Sequence, residues 1–133
     1  MTEGWHGDDY LLLFESHEID SVTAAYGLPR FMPGYRVLGL KSWDDFILSD
    51  QAGATFTLPT VPMVAKYLAP WTFRRPANLQ PDAKFQGKIK WYIKPLAFGG
   101  SPELGDNMTW LTPDVHQKSV AWFNQMYRDL STK

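Results

Sequence analysis

The alternation of hydrophobic and polar residues along this chain predicts a protein built mainly on β-strands. A period of two, bounded by turn-forming residues, is typical of strands. It occurs in six segments: residues 8–14, 35–40, 43–48, 54–58, 87–98 and 108–111. Segment 8–14 is apolar on both faces, which predicts a strand that is buried on both sides. The Asp-Gln-Ala-Gly sequence at 50–53 predicts a hairpin turn between the third and fourth segments.

Two further segments have helical periodicity. Ser16 is placed to cap a short helix after the first strand, and Gly27 is placed to end it. Thr112 and Pro113 predict the start of a C-terminal helix, because proline suits the first helical position. An apolar stripe at helical spacing is expected to pack this helix on the sheet: Val115, Ser119, Trp122, Phe123, Met126 and Leu130.

These elements predict an α+β fold. We expect an antiparallel twisted sheet of about five to six strands, with a short helix after the first strand and a C-terminal helix packed on the sheet. Residues 28–34 are expected to form a loop or turn, and residues 69–84, with three prolines, an ordered surface connector. A chain of 133 residues can bury one core, so residues 1–133 are expected to form a single domain.

Composition narrows the class of protein. The sequence has no cysteine, which excludes thiol catalysis, disulfides and Cys-based metal sites. Residues 1–10 lack the basic stretch and apolar run of a secretory signal, and the apolar run at 10–14 is too short to cross a bilayer. A cytoplasmic protein is therefore expected. Aromatic residues make up 15% of the chain, which indicates either a core rich in tryptophan or rings at an interface.

Charge is unevenly distributed along the chain. Residues 1–50 contain nine acidic and three basic residues, whereas residues 51–133 contain five acidic and ten basic ones. If folding keeps the two halves apart, the acidic half would attract a basic partner and the basic half an acidic one.

The sequence contains no recognisable catalytic pattern. His6, His17 and His116 lack metal-ligand spacing and are expected to be surface or capping residues. The glycine-rich stretch 99–102 lacks the lysine of a phosphate-binding loop and predicts a turn. We therefore expect no enzyme activity, no metal site and no cofactor.

Two charged patterns leave alternatives open. The acid pairs at 8–9 and 44–45 are either solvated, turn-capping residues or part of an acidic recognition surface. In residues 88–94, hydrophobic side chains share one face, and the lysines share the other with Tyr92. That basic face is either simply solvated or a surface for single-stranded nucleic acid.

Several segments together resemble the SUKH superfamily, the Smi/Knr-like domains. DDYLLLFESHEI at 8–19 is similar to the strand and helix of that family, and FMPGYRVLG at 31–39 to its F-x-P-G-Y segment. WDDFILSD at 43–50 with GATF at 53–56 is similar to its hairpin, and VPM at 61–63 to the V-P that follows. Order and spacing agree over residues 8–66, while residues 67–133 have no assigned counterpart.

This resemblance implies a binding role without catalytic residues. Many bacterial SUKH proteins resemble immunity proteins, which neutralise a cognate toxin by direct contact, and some members are scaffolds. We expect an immunity-type protein whose partner is a protein toxin, such as a secreted polymorphic toxin domain. A scaffold or regulatory module is the alternative, and nucleic-acid binding through residues 88–94 is a third. Residues that steer association or act as hot spots are typically exposed and carry a charge or an aromatic ring. On these grounds, the expected contacts with the partner are Glu15, Trp43, Asp44, Asp50 and Tyr92.

Overall fold

A computed structural model describes residues 1–100 and 106–131 of the chain. Six antiparallel strands form the main sheet, and each pairs with the next along the chain in the order β1 to β6. The strands are β1 Thr2–His6, β2 Asp9–Leu13, β3 Arg36–Lys41, β4 Asp45–Ser49, β5 Thr55–Pro59 and β6 Ala69–Pro70. The predicted α+β class and its antiparallel sheet are confirmed.

Two of the predicted strands leave the main sheet. β7 (Ile89–Tyr92) pairs only with β8 (Met108–Leu111), and together they form a separate two-stranded sheet. The predicted strand 87–98 is therefore shortened at both ends, and Leu96–Phe98 forms a 3₁₀ helix. β1 was not predicted, since residues 1–7 carry no clear alternation.

The helices differ in detail from the prediction. α1 spans Ile19–Ala25, and its N-cap is Glu18 instead of the predicted Ser16. Gly27 ends this region as predicted, with a φ of 85° that suits glycine. The predicted loop that follows contains a short helix, α2 (Leu28–Phe31). A 3₁₀ turn at Ala65–Tyr67 precedes β6.

The main sheet carries apolar residues on both faces. One face packs on the helices and on β7, through the large cluster that contains Tyr10, Phe46 and Val120. The other face is a smaller cluster of Leu11, Leu13 and Ile47, covered by partly buried residues that include Trp71, Phe73 and Leu79. The prediction that residues 8–14 form a strand buried on both sides is confirmed, because β2 contributes to both clusters.

The connector after β6 is held against the sheet by hydrogen bonds. Arg75 donates to the carbonyl oxygen of Phe14 at 3.1 Å and to Glu15 at 2.9 Å. Trp5 and Gln80 exchange backbone hydrogen bonds of 2.9 and 3.2 Å in an isolated bridge. The expectation of an ordered surface connector over residues 69–84 is correct after residue 70, but Ala69–Pro70 pairs with β5 as a strand of the main sheet.

The C-terminal helix, α3 (Pro113–Ser131), begins where Thr112 and Pro113 predict. Its predicted apolar stripe is wrong in part, because Val115, Trp122 and Leu130 are 43%, 55% and 54% exposed.

The buried face of this helix is different: His116, Val120 and Asn124 are at most 2% exposed. The Asn124 side chain accepts from the Met63 amide at 2.7 Å and donates to the Thr60 carbonyl at 2.8 Å. A buried amide with its donors and acceptors satisfied is tolerated in a core, and hydrophobic periodicity cannot detect such a residue.

The predicted turn at 99–102 lies partly outside the described residues, which exclude 101 and 102.

No helix within residues 1–100 and 106–131 combines the length and the apolar character needed to span a bilayer.

Candidate functional site

An open cleft of about 440 Å³ lies where the chain enters β4, leaves β5 and passes along β7. Its walls are mainly apolar and aromatic, with three charged side chains. We refer to it as the Trp43–Tyr92 cleft, and its lining is Trp43, Asp44, Asp45, Pro59, Thr60, Val61, Pro62, Tyr67, Lys90, Trp91, Tyr92, Pro95, Leu96, Ala97 and Tyr127.

Trp43 connects the cleft to the hydrophobic core. It lies in the turn between β3 and β4 with a φ of 64°, unusual for a residue other than glycine. Its ring stacks on Tyr10 at 5.1 Å between centroids and meets Trp110 edge to face at 5.3 Å. The expectation that Trp43 is an exposed contact is wrong, because only 9% of it is accessible. Trp43 therefore belongs to the hydrophobic core and forms part of the cleft lining at the same time.

Asp44, Lys90 and Tyr92 form a row along the cleft. The Lys90 Nζ lies 2.7 Å from an Asp44 carboxylate oxygen and donates to the Tyr92 hydroxyl at 3.2 Å. The same Nζ lies 4.9 Å from the centroid of the Tyr92 ring. Lys90 and Tyr92 are two residues apart in β7, so the strand places both side chains on one face. This row is a fixed arrangement of a carboxylate, an ammonium and an aromatic ring.

Alternation within β7 is confirmed where the strand is regular. Ile89 and Trp91 are buried in the core, while Lys90 and Tyr92 are partly exposed on the other face. Ile93, expected on the buried face with them, is 54% exposed because the strand ends at Tyr92.

Partial burial dominates the electrostatics of the acid pair. It raises the pKa of the Asp44 carboxyl, although the Lys90 ammonium acts in the opposite direction. Burial also raises the pKa of the Asp45 carboxyl, and repulsion from Asp44 adds to this effect. The Lys90 pKa is raised as well: burial alone would lower it, but the bonds to Asp44 and Tyr92 outweigh that effect. The two carboxylates therefore differ, since only Asp44 has a cation bound directly to it.

Two of the expected contacts lie away from the cleft. Glu15 accepts from Arg75 at 2.9 Å and from the Thr2 hydroxyl, so it holds the connector and the N-terminus in place. Asp50 accepts from the amides of Ala52 and Ala54, each at 2.9 Å, and so closes the predicted hairpin turn. The structure brings Trp43, Asp44 and Tyr92 together and leaves Glu15 and Asp50 in structural roles.

Sequence reasoning missed much of the apolar wall. Pro59 and Pro62 were a usable signal, because prolines leave a sheet ladder and tend to shape loops and edges. Tyr67 and Leu96 carried none, yet they are 44% and 47% exposed on the cleft wall. Each lies in a single 3₁₀ turn, a feature that alternation does not predict.

A second cleft, of about 830 Å³, lies on the other side of Tyr127 and has a basic character. Phe31, Tyr35 and Met63 contribute to its apolar wall, and Lys66 and Arg128 are its charged residues. The Arg128 guanidinium carbon lies 5.2 Å from the centroid of the Phe31 ring. No carboxylate lines this cleft among the described residues.

His116 departs from its expected place. It was expected at a helix start on the surface, but it is fully buried and hydrogen-bonded to the Tyr26 hydroxyl through Nδ1 at 2.7 Å. Burial lowers its pKa to about 3. Within residues 1–100 and 106–131, no group of three or more His, Asp or Glu side chains could hold a metal ion.

Comparison with known proteins found no relative of this chain. No family model, curated protein or solved structure matches this chain.

Proposed function

We propose that this chain binds a protein partner through the Trp43–Tyr92 cleft, and that the partner is a cognate bacterial toxin which the chain neutralises. The observation that supports binding is the make-up of the cleft. Exposed apolar side chains, such as Tyr67 and Leu96, line the same cleft as the hydrogen-bonded row of Asp44, Lys90 and Tyr92. Protein interfaces combine these features: apolar and aromatic anchors give affinity, and fixed charges give specificity.

The lining favours binding over catalysis. The described residues of the cleft include no histidine, serine or cysteine, three side chains that enzymes often use as base or nucleophile. The Asp44 carboxylate is bound to Lys90, which reduces its availability as a proton acceptor. The proposal is therefore a non-enzymatic, immunity-type protein.

The SUKH-like segments support the location and the class of partner. WDDFILSD at 43–50 contributes Trp43, Asp44 and Asp45 to the cleft, and VPM at 61–63 contributes Val61 and Pro62. Two separate parts of the resemblance thus converge on one surface. An immunity role follows if family members use this part of the fold to contact toxins.

Nucleic-acid binding through residues 88–94 is less well supported. Its central lysine, Lys90, is paired with Asp44 at 2.7 Å, and the carboxylates of Asp44 and Asp45 lie on the same surface. Phosphate groups would be repelled by these acids.

The test combines protection with direct binding. The chain is co-expressed in bacteria with the toxin domain encoded next to its gene, growth is followed, and the purified pair is measured by calorimetry. Leu96→Arg places a long cation on the cleft wall, and we expect affinity to fall by about 30-fold, the effect of losing a hot spot. Ala52→Arg, at the exposed hairpin turn, is the matched control and should bind like the wild type.

The outcomes separate the two parts of the proposal. Growth protection lost in Leu96→Arg and kept in Ala52→Arg supports both parts. Equal binding by both variants would place the interface elsewhere and contradict the cleft. A chain that protects against no neighbouring toxin, yet binds another cellular protein through the cleft, would replace the immunity role by the scaffold role.

A further inference from the structure

The second sheet has an open edge along β7. This strand pairs only with β8, so one side of its backbone faces β8 and the other side faces away from it. In an antiparallel ladder, alternate residues direct their N–H and C=O groups toward the partner strand, and the residues between them direct theirs outward. The free side of β7 therefore presents the backbone groups of every second residue.

The hydrogen bonds of the ladder identify those residues. The Ile93 amide donates to the Asn107 carbonyl at 2.8 Å, immediately beyond the last residue of β7. Ile93 thus faces β8, and by alternation Trp91 does as well. Lys90 and Tyr92 direct their N–H and C=O groups outward. None of these four backbone groups has a hydrogen-bond partner in the described part of the chain.

The Trp43–Tyr92 cleft lies along this open edge. Three consecutive residues of β7 line it: Lys90, Trp91 and Tyr92. The Trp91 side chain is buried on the opposite face from the other two. A cleft that contacts all three must therefore run beside the strand instead of over one of its faces. No residue of β8 lines the cleft, which places the cleft on the outward side of β7.

An extended peptide is the ligand that these backbone groups fit. Lys90 and Tyr92 repeat an outward donor and acceptor at the two-residue spacing of a strand, and another peptide backbone carries the complementary groups at the same spacing. Residues 59–62, which also line the cleft, do not supply them. Pro59 and Pro62 lack an N–H group, and no backbone hydrogen bond joins this segment to β7 within the described residues. The space beside the edge, part of a cleft of about 440 Å³, stays open.

We infer that the partner contributes an extended segment that pairs with β7 as a third strand of the second sheet. This inference rests on the proposed function, since it names how the same cleft binds the partner. Side chains on one face of the added strand then lie beside Lys90 and Tyr92, where they meet the Asp44 carboxylate that is bound to Lys90. In this mode of recognition the paired backbones give affinity, and the side chains beside them select the sequence.

The first experiment tests the open edge in the free chain. Amide hydrogen exchange of the ¹⁵N-labelled protein is followed by NMR. We expect slow exchange at Trp91 and Ile93, whose amides are bonded to β8, and exchange about tenfold faster or more at Lys90 and Tyr92. Equal exchange rates at the four amides overturn the inference, because the two sides of β7 would then not differ.

The second experiment uses the toxin domain encoded next to the gene and proline as a probe of the backbone. Tyr92→Pro removes one outward N–H and keeps the bonds to β8, and edge strands accept proline at such positions. Tyr92→Ala removes the same side chain and keeps the N–H. We expect Tyr92→Pro to bind about tenfold more weakly than Tyr92→Ala, the effect of one hydrogen bond lost at the interface. Met108→Pro, which removes an outward N–H on the free side of β8, should bind like the wild type.

Equal affinities of the two Tyr92 variants overturn the inference, and a loss of affinity in Leu96→Arg would then still support the proposed function. A toxin domain that does not bind the wild type overturns both. Dimerisation of the chain alone that is lost in Tyr92→Pro and kept in Tyr92→Ala assigns the edge to a second copy, and so also overturns the inference.

The wild-type complex decides if Tyr92→Pro does not fold. NMR scalar couplings through hydrogen bonds, from the Lys90 and Tyr92 amides to carbonyl groups of the toxin domain, support the added strand. Their absence from the complex overturns it.

Discussion

Tyr26 and His116 are hydrogen-bonded to each other inside the core, with 2.7 Å between the Tyr26 hydroxyl oxygen and His116 Nδ1. Both side chains are fully buried, one after α1 and the other in the first turn of α3. The His116 ring also meets Trp91 edge to face at 5.4 Å between centroids. A polar pair therefore joins α3 to the rest of the fold at a place where hydrophobic periodicity predicts only apolar contact.

This pair predicts a pH dependence of stability. Burial lowers the pKa of His116 to about 3, below the value of about 6.5 in an unfolded chain. The unfolded state then binds more protons below pH 6.5, so the stabilising effect is complete above that pH and is lost as pH falls toward 3. Between pH 7 and pH 5, we expect the free energy of unfolding to fall by about 2 kcal/mol from this group.

Urea denaturation at both pH values measures the effect, with His116→Phe as the comparison. The variant has no group to titrate at this position, so its stability should change less between pH 7 and pH 5. Parallel curves for the wild type and the variant would show that His116 is accessible to protons in the folded state.

Asn124 is predicted to be essential for the stability of α3. Asn124→Ala removes the acceptor of the Met63 amide and the donor to the Thr60 carbonyl. Two backbone groups then lose their partners, at a cost of about 2–4 kcal/mol in the free energy of unfolding. Trp122→Ala, on the exposed side of the same helix, should cost about 1 kcal/mol or less. Equal losses in the two variants would contradict the orientation of α3.

These two residues show what the sequence could and could not predict. The start of α3 was predictable, because Thr112 and Pro113 act through local backbone chemistry. Its buried face was not, because Asn124 and His116 are polar and their partners are distant in the chain. The prediction that Trp43 is exposed was wrong for a related reason. Its buried ring packs against the rings of Tyr10 and Trp110, and the sequence pattern cannot place these distant residues beside it.

The candidate site was predictable only in part. Asp44 and Tyr92 were selected for charge and ring, and both line the cleft. Their connection through Lys90 joins the turn before β4 to strand β7 of the second sheet, which no local signal reveals. Glu15 and Asp50 were selected on the same grounds, but each is used by backbone or side-chain partners that hold the fold together.

Asp45→Asn is predicted to stabilise the chain at neutral pH. The raised pKa of Asp45 means that its charged form is disfavoured in the folded state. At pH 7 the substitution should therefore raise the free energy of unfolding. The gain should vanish in acid, as pH falls through the folded pKa and the wild-type carboxyl becomes neutral. Denaturation midpoints at pH 7 and pH 3.5 check this, and a loss of stability at pH 7 would contradict it.

Gly39 is predicted to tolerate no side chain. A Cβ at this position would overlap the Leu12 carbonyl oxygen in the neighbouring strand β2, and it would press on the Leu13 side chain. The register between β3 and β4 also shifts between Val37 and Gly39. Gly39→Ala should lower the free energy of unfolding by about 2 kcal/mol or more, since the pairing of two central strands must open. Urea denaturation of the variant beside the wild type measures the loss, and an unchanged midpoint would contradict the overlap.

The bridge between Trp5 and Gln80 has a consequence for how the molecule meets other chains. β1 and β6 are the outer strands of the main sheet, and such strands are where foreign chains add by backbone pairing. Gln80 already occupies the outer side of β1, while β6 has two residues and ends in Pro70, which has no N–H to donate. Extension of the sheet by a partner, or by a second copy in a growing aggregate, is thus disfavoured at both margins. Recognition at the main sheet is left to side chains.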